Sequence, residues 1–489
     1  MDIVTFWVQW VDTREGGNLN TAIEADYVIV GAGAVGLAFA DTILADSDAT
    51  IAIIDRHGRP GGHWNDAYSF VQLHQPSAFY GVDSMPLGAD RRDTHGWNEG
   101  YYELATGAEV SAYFERVMTQ HFLPSGRVSY FPMTEYLGDG TCASLLSGKR
   151  AVVKARRKHV DATYYGTSVP STHTPKFAIN AGANVVPPNA LPDLWKRAGR
   201  MPSKYVILGA GKTGMDVGVW LVNAGADPAD ITWVVPRDSW LLNRHHTQPG
   251  VEFFHQTIGG QADQMQALAE ASDLRDLFHR LEACGVMMRI DETVEPTMYH
   301  CATISRGEVE ILRRIENVVR GQRVRAVSSG QLQLDRDAIS FPEDTLFIDC
   351  TATAVDRRPA VPVFQDDLIT LQMVRTCQPA FSSALIGQVE LNFDGDARKN
   401  ALTQVVPLPD GPQEFLLVTL ASMMNQHQWS QEPRLREWML ASRLDRFSDA
   451  VKAVDHDDVE KRAVIDRFKA YTAPAIANIH TLLAQQAAG

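Results

Sequence analysis

Two glycine-rich turns constrain this chain more than any other feature of its sequence. The first is GAGAVG at residues 31–36, and the second is GAGKTG at residues 209–214. Each follows a short apolar run and precedes a segment with a helical apolar pattern, which is the context of a dinucleotide-binding turn. Two such turns predict two bound dinucleotides, and this pairing is typical of a flavin and a nicotinamide that exchange a hydride.

Each turn lies in a predicted strand–helix–strand unit. In the first unit, strands at 27–30 and 50–54 flank a helix at 35–44. The second unit repeats the plan with segments at 205–208, 213–223 and 231–235. Short, fully apolar strands joined by a helix are typical of a parallel sheet that is covered on both faces. The sequence therefore predicts an α/β fold.

The residues of the first turn suit a bound pyrophosphate. Gly31 allows a tight turn, Gly33 lets the backbone approach the phosphates, and Gly36 lets helix and strand pack closely. Asp55 ends the next strand, where a carboxylate can accept hydrogen bonds from a ribose. The other residues assigned to this cofactor are Ala34, Val35, Arg56, Gly62, His63, Trp64, His74 and Gln75.

The second turn differs in charge from the first. Gly209, Gly211 and Gly214 repeat the glycine spacing, and Lys212 and Thr213 complete the predicted site. No acid ends the strand at 231–235, and Arg237 follows it instead. An arginine at this place favours the 2′-phosphate of NADPH, so NADPH is predicted over NADH.

Four segments together carry a resemblance to a known superfamily. They are the two turns, IIDRHGRPGGHW at 53–64 and LFIDCTAT at 346–353. In these segments the chain is similar to two-dinucleotide-domain flavoproteins, and it looks most like the flavin-containing (class B) monooxygenases. The resemblance covers roughly residues 26–365. It implies FAD at the first turn, NADPH at the second, a GGxW segment beside the flavin, and a late strand whose Asp349 and Thr351 return to the FAD.

The resemblance and the unit order imply two Rossmann-like domains, one inserted in the other. The FAD domain is predicted at 25–190 plus 345–489, with a helical C-terminal part broken at Pro433 and Pro474. The strand expected to return to its sheet lies at 177–182. The NAD(P)H domain is predicted at 195–344, and residues 1–24 are predicted to be an N-terminal extension.

Two departures leave the subgroup open. The FxGxxxHxxxW/F fingerprint of Baeyer–Villiger enzymes is absent from residues 189–203, and residues 352–354 read Ala-Thr-Ala instead of Ala-Thr-Gly. The favoured function is an NADPH-driven FAD monooxygenase that works through a flavin C4a-(hydro)peroxide. The alternatives are an FAD and NAD(P)H oxidoreductase without oxygen insertion, and a protein that holds FAD without turnover.

The segment at 73–80 holds the predicted catalytic residues. It follows Trp64, where the family's chain passes the flavin ring, and His74 and Gln75 offer donors and acceptors to an oxygenated flavin. The alternative is that His74 caps a helix. The neighbouring His245 and His246 have no clustered acids or cysteines beside them, so no metal is predicted.

The composition of the chain limits which binding partners are expected. The chain has 489 residues, 21% of them charged, and a net charge of −14, which argues against unselective nucleic-acid binding. No apolar run approaches the ~20 residues of a membrane helix, and no secretory signal is found, so a cytoplasmic location is expected. The expected partners are a small-molecule substrate and O2, and a homo-oligomer stays open. The five cysteines form no CxxC or CxxxxC pair, which argues against the disulfide reductases, and each is expected to be a buried apolar residue.

Overall fold

The structure is a computed structural model that describes residues 22–197 and 201–488. The predicted N-terminal extension at 1–24 therefore lies outside the described residues, except for its last three positions. Those three residues open the first strand of the fold.

The described chain contains both strands and helices. The strands are β1 (Ala22–Val30), β2 (Ile51–Ile54), β3 (Val128–Phe131), β4 (Thr134–Tyr136), β5 (Thr141–Ser144), β6 (Arg150–Asp161), β7 (Ala178–Ile179), β8 (Val185–Val186), β9 (Tyr205–Leu208), β10 (Ile231–Val235), β11 (Leu241–Asn243), β12 (Met287–Met288), β13 (Thr303–Ile304), β14 (Asn317–Arg320), β15 (Val324–Ser328), β16 (Gln331–Leu334), β17 (Ala338–Ser340), β18 (Leu346–Asp349), β19 (Phe364–Gln365) and β20 (Leu368–Thr370). The helices are α1 (Ala34–Asp46), α2 (Gly107–Arg116), α3 (Lys212–Asn223), α4 (Phe254–Glu270), α5 (Leu274–Ala283), α6 (Arg306–Leu312), α7 (Pro379–Asn392), α8 (Asp396–Leu402), α9 (Pro412–Gln431), α10 (Pro433–Ala441), α11 (Arg446–Lys452) and α12 (Val459–Ala488).

The first large sheet carries the first glycine turn. Its main path runs β19-β20-β6-β1-β2-β3, with β5 and β4 added beyond β6. The pairs of β1 with β2 and β6 are parallel, and so is the pair of β2 with β3. All four residues of β2 are buried, as expected for a strand covered on both faces. The predicted first strand–helix–strand unit is therefore confirmed.

The second sheet carries the second glycine turn. Its order is β14-β10-β9-β18-β8, and all of its pairs are parallel. Every residue of β9 and of β18 is buried. Because β19 and β20 rejoin the first sheet after this second sheet is complete, one unit is inserted in the other. The α/β prediction and the nested arrangement are confirmed.

Two strands lie elsewhere than the sequence predicts. The strand at 346–349, expected to return to the FAD unit, pairs with β9 and β8 in the second sheet. The segment at 177–182 forms only β7, which pairs with β15 in a separate four-stranded sheet. The second sheet thus takes β8 and β18 from outside the predicted bounds of 195–344, because strand partners are chosen by tertiary packing.

The C-terminal helices cover both units. Helix α7 packs on α1, where an added Cβ on Gly387 would lie 3.0 Å from Thr42. Helix α12 packs on α4, and Asn478 donates its side-chain amide to the carbonyls of Leu268 and Ala271, each at 2.8 Å. The C-terminal region therefore belongs to the second unit as well as to the first, contrary to the predicted division.

The two prolines predicted as breaks act differently. Pro433 opens α10 directly after α9, which is a favoured place for proline because the first helical amide needs no partner. Pro474 lies inside α12, so the prediction of a break there is wrong.

The cysteine prediction holds for only part of the set. Cys142 and Cys350 are buried, and Cys284 is partly buried. Cys301 and Cys377 are joined in a disulfide across 76 residues of sequence. The fold brings the loop before β13 beside the segment before α7, which no local spacing could show.

Candidate functional site

The first glycine turn leaves a helix end open. Gly31 has a φ of +107° and donates its amide to the carbonyl of Ile54 at 2.8 Å. Gly33 precedes α1 and no side chain caps that helix. An added Cβ on Gly36 would lie 2.1 Å from the carbonyl oxygen of Gly31, so this glycine is required for the turn to pack on its own helix. The amides of Ala34 and Val35 are thereby left to a ligand, and a helix N-terminus favours an anion.

A second pair of glycines covers this turn. Gly61 donates its amide to the carbonyl of Ala32 at 2.8 Å. An added Cβ on Gly62 would lie 3.0 Å from the Cα of Gly33. The two chains therefore form a cradle that side chains would fill. This shape fits the pyrophosphate of a dinucleotide, which needs close backbone approach.

Asp55, the acid predicted to bind a ribose, is buried and forms hydrogen bonds with the backbone around the first turn. Its Oδ2 accepts the amide of Ala32 at 2.5 Å, and its Oδ1 accepts the amide of His57 at 2.7 Å. The His57 ring lies between Asp55 and Asp66, with distances of 3.0 and 2.8 Å. The hydrogen bond to Asp55 and the one to Asp66 outweigh burial and raise the pKa of His57. Arg56 is exposed, and ribose binding by Asp55 stays a prediction.

The aromatic segment after the cradle is tied to a later loop. The indole nitrogen of Trp64 donates to the hydroxyl of Tyr80 at 2.8 Å. Burial lowers the pKa of His63 to about 4, so its ring is neutral at pH 7. Arg443, between α10 and α11, donates to the carbonyls of Ala78, Tyr80 and Val82 at 2.8 to 3.0 Å. The C-terminal region therefore fixes the segment that follows His74 and Gln75.

The second turn has the same backbone design. Gly209 has a φ of +114° and donates to the carbonyl of Val234 at 3.1 Å. An added Cβ on Gly214 would lie 2.3 Å from the carbonyl oxygen of Gly209. An added Cβ on Gly211 would meet open space, and no side chain caps α3. With Thr213 in its first turn, α3 therefore presents an open N-terminus that also fits a phosphate.

The late acid lies beside this second turn, which corrects its predicted place. An added Cβ on Gly209 would be 2.7 Å from the carbonyl oxygen of Cys350. Asp349 is buried, and it accepts the amide of Thr351 at 2.9 Å and its hydroxyl at 2.7 Å. Its other oxygen lies 2.9 Å from Nε2 of His173. Asp349 and Thr351 thus lie in the second unit, because their strand pairs with β9, and their binding to FAD stays a prediction.

Lys212 opens α3 inside a buried network of charges. Its ammonium contacts Asp216 and lies 3.1 Å from Glu308. Glu308 also accepts from Arg244 at 2.7 Å, and the Arg244 side chain is fully buried. Burial acts to raise the pKa of Glu308, but Lys212 and Arg244 outweigh it and hold the pKa at about 2. A charged group in this network is compensated only while its partners remain.

The predicted catalytic residues lie between the two units. Arg244 donates its Nε to the carbonyl of His74 at 2.8 Å. Burial, with help from the charges of Lys212 and Arg244, lowers the pKa of His74 to about 3. His74 and Gln75 are partly buried. At neutral pH the His74 imidazole is uncharged and has one nitrogen donor and one acceptor.

Arg237, which follows the end of its strand, forms an ion pair. It donates to both carboxylate oxygens of Asp410, at 2.9 and 2.8 Å. It also lines a cavity of about 470 Å³ together with Ala210 of the second turn. The sequence placed Arg237 beside the second turn but could not show its partner.

Sequence reasoning missed the residues that join the two units. The hydroxyl of Tyr68 donates to Asp216 at 2.7 Å, and the Phe70 ring stacks on Trp220 with a centroid separation of 4.9 Å. Ser305 and Glu308 form a capping box, a pattern visible in the sequence. That pattern predicts where α6 begins, but not that Glu308 meets Lys212.

The described residues contain neither a metal-binding cluster nor a membrane-spanning helix. No group of three or more His, Cys, Asp or Glu side chains is placed there to hold a metal ion. No helix in the described ranges is both long enough and apolar enough to span a bilayer.

The sequence matches a domain family and relatives that align with most of the chain. The NAD(P)-binding Rossmann-like domain family matches residues 29–82, which confirms a Rossmann-like unit at the first turn. The chain is 43% identical over 470 residues to the uncharacterized proteins Rv2000 of Mycobacterium tuberculosis and Mb2023 of Mycobacterium bovis. These alignments cover 94% of this chain and 86% of each relative.

Solved structures with similar architecture are more distant. A mutant flavin monooxygenase from Stenotrophomonas maltophilia is 13% identical with a TM-score of 0.44, over 77% of this chain and 98% of that one. Cyclohexanone monooxygenase, in its open crystal structure, is 14% identical with a TM-score of 0.45, over 76% and 88%. A bacillithiol disulfide reductase from Staphylococcus aureus is 12% identical with a TM-score of 0.45, over 75% and 98%.

Proposed function

This chain belongs to the same family as the mycobacterial proteins Rv2000 and Mb2023, and we propose that it is an FAD-dependent, NADPH-driven monooxygenase. Its substrate is a small organic molecule and its co-substrate is O2. The observation that supports this proposal most directly is the segment at 62–75. It covers the first turn at Gly62, and its Tyr68 bonds to Asp216 of the helix that begins at the second turn.

This arrangement suits transfer of a hydride between two bound dinucleotides. Both helix ends are uncapped and both turns are shaped by glycine, so each fits a pyrophosphate. The segment that joins the turns carries Trp64, His74 and Gln75. When bound, the flavin accepts a hydride and reduces O2, and the protein positions these reactants.

The chain's own residues have definite tasks in this proposal. The amides at the starts of α1 and α3 hold the two pyrophosphates. Asp55 binds the adenosine ribose of the FAD through the lone pairs that its backbone contacts leave free. His74, held by Arg244 at its carbonyl, would offer the flavin site a neutral imidazole that donates or accepts one hydrogen bond. Trp64 and Tyr80 form an aromatic wall that excludes water.

Purified protein tests the proposal in two steps. We expect a yellow protein with bound FAD whose colour bleaches anaerobically on addition of NADPH. We then expect isotopically labelled O2 to deliver one labelled atom to a product when a panel of ketones, amines and thioethers is supplied. A colourless protein that takes up no FAD contradicts the proposal. NADPH oxidation that gives only peroxide and no labelled product favours the oxidoreductase without oxygen insertion.

The role of His74 is tested by His74→Asn. We expect this variant to keep its bound FAD and to let NADPH reduce that FAD. The yield of labelled product should fall roughly a hundredfold, which is typical of a lost proton-transfer group. The matched control is His456→Asn, because His456 is 90% exposed. Unchanged product formation in His74→Asn contradicts the assigned role.

A further inference from the structure

One carboxylate of the C-terminal region lies at the end of the strand that follows the second turn. Asp410 lies in the loop between α8 and α9, and Arg237 lies just beyond β10. The guanidinium of Arg237 meets both oxygens of Asp410, at 2.9 and 2.8 Å. This two-point contact is the geometry by which arginine binds either a carboxylate or a phosphate.

Two further donors converge on the same carboxylate. Arg357 donates to Oδ1 of Asp410 at 2.9 Å, and Nε2 of His300 lies 2.9 Å from that oxygen. These groups come from the chain after β18 and from the loop before β13. Their hydrogen bonds, that of Arg237 first, hold the pKa of Asp410 well below its usual range. Three nitrogen-bearing side chains around one acceptor form a donor set suited to a phosphate dianion.

Arg237 differs from the other arginines that line the cavity of about 470 Å³ in the origin of its acidic partner. The other arginines pair with acids of the second unit. Their pairs are Arg289 with Glu282, Arg313 with Glu292, and Arg320 with Asp238 and Asp291. Arg237 instead depends on a residue from the C-terminal region. Glu414 is also near Arg237, but its carboxylate accepts the amide of Gly411 at 2.9 Å and caps α9.

We propose that Asp410 occupies the place of the coenzyme's 2′-phosphate on Arg237, and that competition between this carboxylate and the phosphate sets the preference between NADPH and NADH. This inference rests on the proposed binding of a nicotinamide dinucleotide at the second turn. It adds a specificity-determining residue from outside the nucleotide-binding unit.

The exchange is physically feasible. The side chains of Arg237 and Asp410 are 32% and 37% exposed, so a ligand can reach the pair and water screens its attraction. A phosphate monoester carries more negative charge at pH 7 than a carboxylate. Arg357 and His300 would remain in place to share that charge. The phosphate therefore displaces Asp410, but it loses part of its binding free energy in doing so.

Calorimetry on the full-length protein tests this competition directly. The probes are adenosine 2′,5′-bisphosphate and 5′-AMP, which differ only in the 2′-phosphate. We expect Asp410→Asn to bind the bisphosphate about tenfold more tightly than the parent protein, with 5′-AMP affinity unchanged, because one competing charge is removed. The matched control is Asp335→Asn, because Asp335 pairs with the exposed Arg325 of β15. That control should change neither affinity.

A second measurement needs no change at Asp410. In the parent protein, the amide of Tyr299 donates to the carbonyl of Asp410 at 3.0 Å. Hydrogen exchange at Tyr299 should become faster with the bisphosphate and not with 5′-AMP, because displacement loosens this contact.

The outcomes separate this inference from the proposed function. If Asp410→Asn folds and shows no change in the affinity ratio, or if exchange at Tyr299 does not respond, the assignment of Asp410 is wrong while the NADPH site stands. If the parent protein binds neither nucleotide, the proposed function and this inference both fail. The Arg237→Gln variant should lose most of its preference for the bisphosphate over 5′-AMP, and removal of Asp410 should then have little effect.

Discussion

The two glycine turns share one backbone design but differ in the charges around it. In the first unit α1 begins at the apolar Ala34, and Asp55 bonds directly to the backbone of the turn. In the second unit α3 begins at Lys212, which is buried between Asp216 and Glu308. The first turn is therefore stabilised mainly by local contacts. The second depends on charges that come from distant parts of the chain.

Removal of the buried ammonium should give the largest difference between the units. Lys212→Met leaves Asp216 and Glu308 with less compensation, and breaking a buried ion pair costs about 3–5 kcal/mol in the free energy of unfolding. Urea unfolding measures this cost. The matched control is Lys204→Met, because Lys204 pairs with Asp230 at 2.7 Å but is 37% exposed, and its loss should cost under about 1 kcal/mol. Equal costs in the two variants would show that the network contributes no more than a surface pair.

A methyl group at the third glycine should disturb both units alike. Gly36→Ala and Gly214→Ala each place a Cβ against a backbone oxygen, at 2.1 and 2.3 Å. We expect each to lose about 3 kcal/mol in the free energy of unfolding, because the backbone must shift. Gly33→Ala is the control, since its Cβ would lie 3.7 Å from Gly62 and should cost under about 1 kcal/mol. A stable Gly36→Ala variant would mean that the turn is not held by this contact.

Two tyrosine variants compare a hydrogen bond to a charged acceptor with a hydrogen bond between neutral groups. Tyr68→Phe removes a hydrogen bond to the carboxylate of Asp216 and should cost about 2 kcal/mol. Tyr80→Phe removes the acceptor of the Trp64 indole and should cost about 1 kcal/mol. Thermal unfolding of the two variants compares them, and a reversed order would contradict the view that charge distinguishes the second unit.

The smallest expected effect is a pH dependence confined to the first unit. The pKa of His57 is raised above 6.5 by its hydrogen bond to Asp55 and then by the one to Asp66, although burial acts to lower it. The folded state therefore holds this proton more tightly than the unfolded chain. The resulting stability is fully present below about pH 6.5 and is lost as the pH rises through the folded-state pKa.

His57→Gln tests this sign. We expect a loss of about 1 kcal/mol near pH 6 and a smaller loss near pH 9, measured by urea unfolding at both values. His456→Gln, at a 90% exposed position, should show neither loss. A larger loss at high pH would reverse the assigned direction.

Much of the fold could be predicted because its signals are local. The strands at 27–30 and 231–235 are apolar runs beside glycine turns, and they lie where the sequence placed them. The apolar run at 346–349 correctly predicts a strand, but that strand joins the second sheet and not the first. An apolar run indicates burial on both faces, but it carries no information about which neighbour supplies the hydrogen bonds.

The sequence by itself determined two Rossmann-like units, because three glycines spaced between a strand and a helix allow the tight turn that this fold requires. It also determined their nested order along the chain. Only the tertiary structure decided that Glu308 and Arg244 surround Lys212, that Asp349 belongs to the second turn, and that Asp410 holds Arg237. These are contacts between residues far apart in sequence, and their partners are selected by packing and by the need to compensate charge when polar groups are buried.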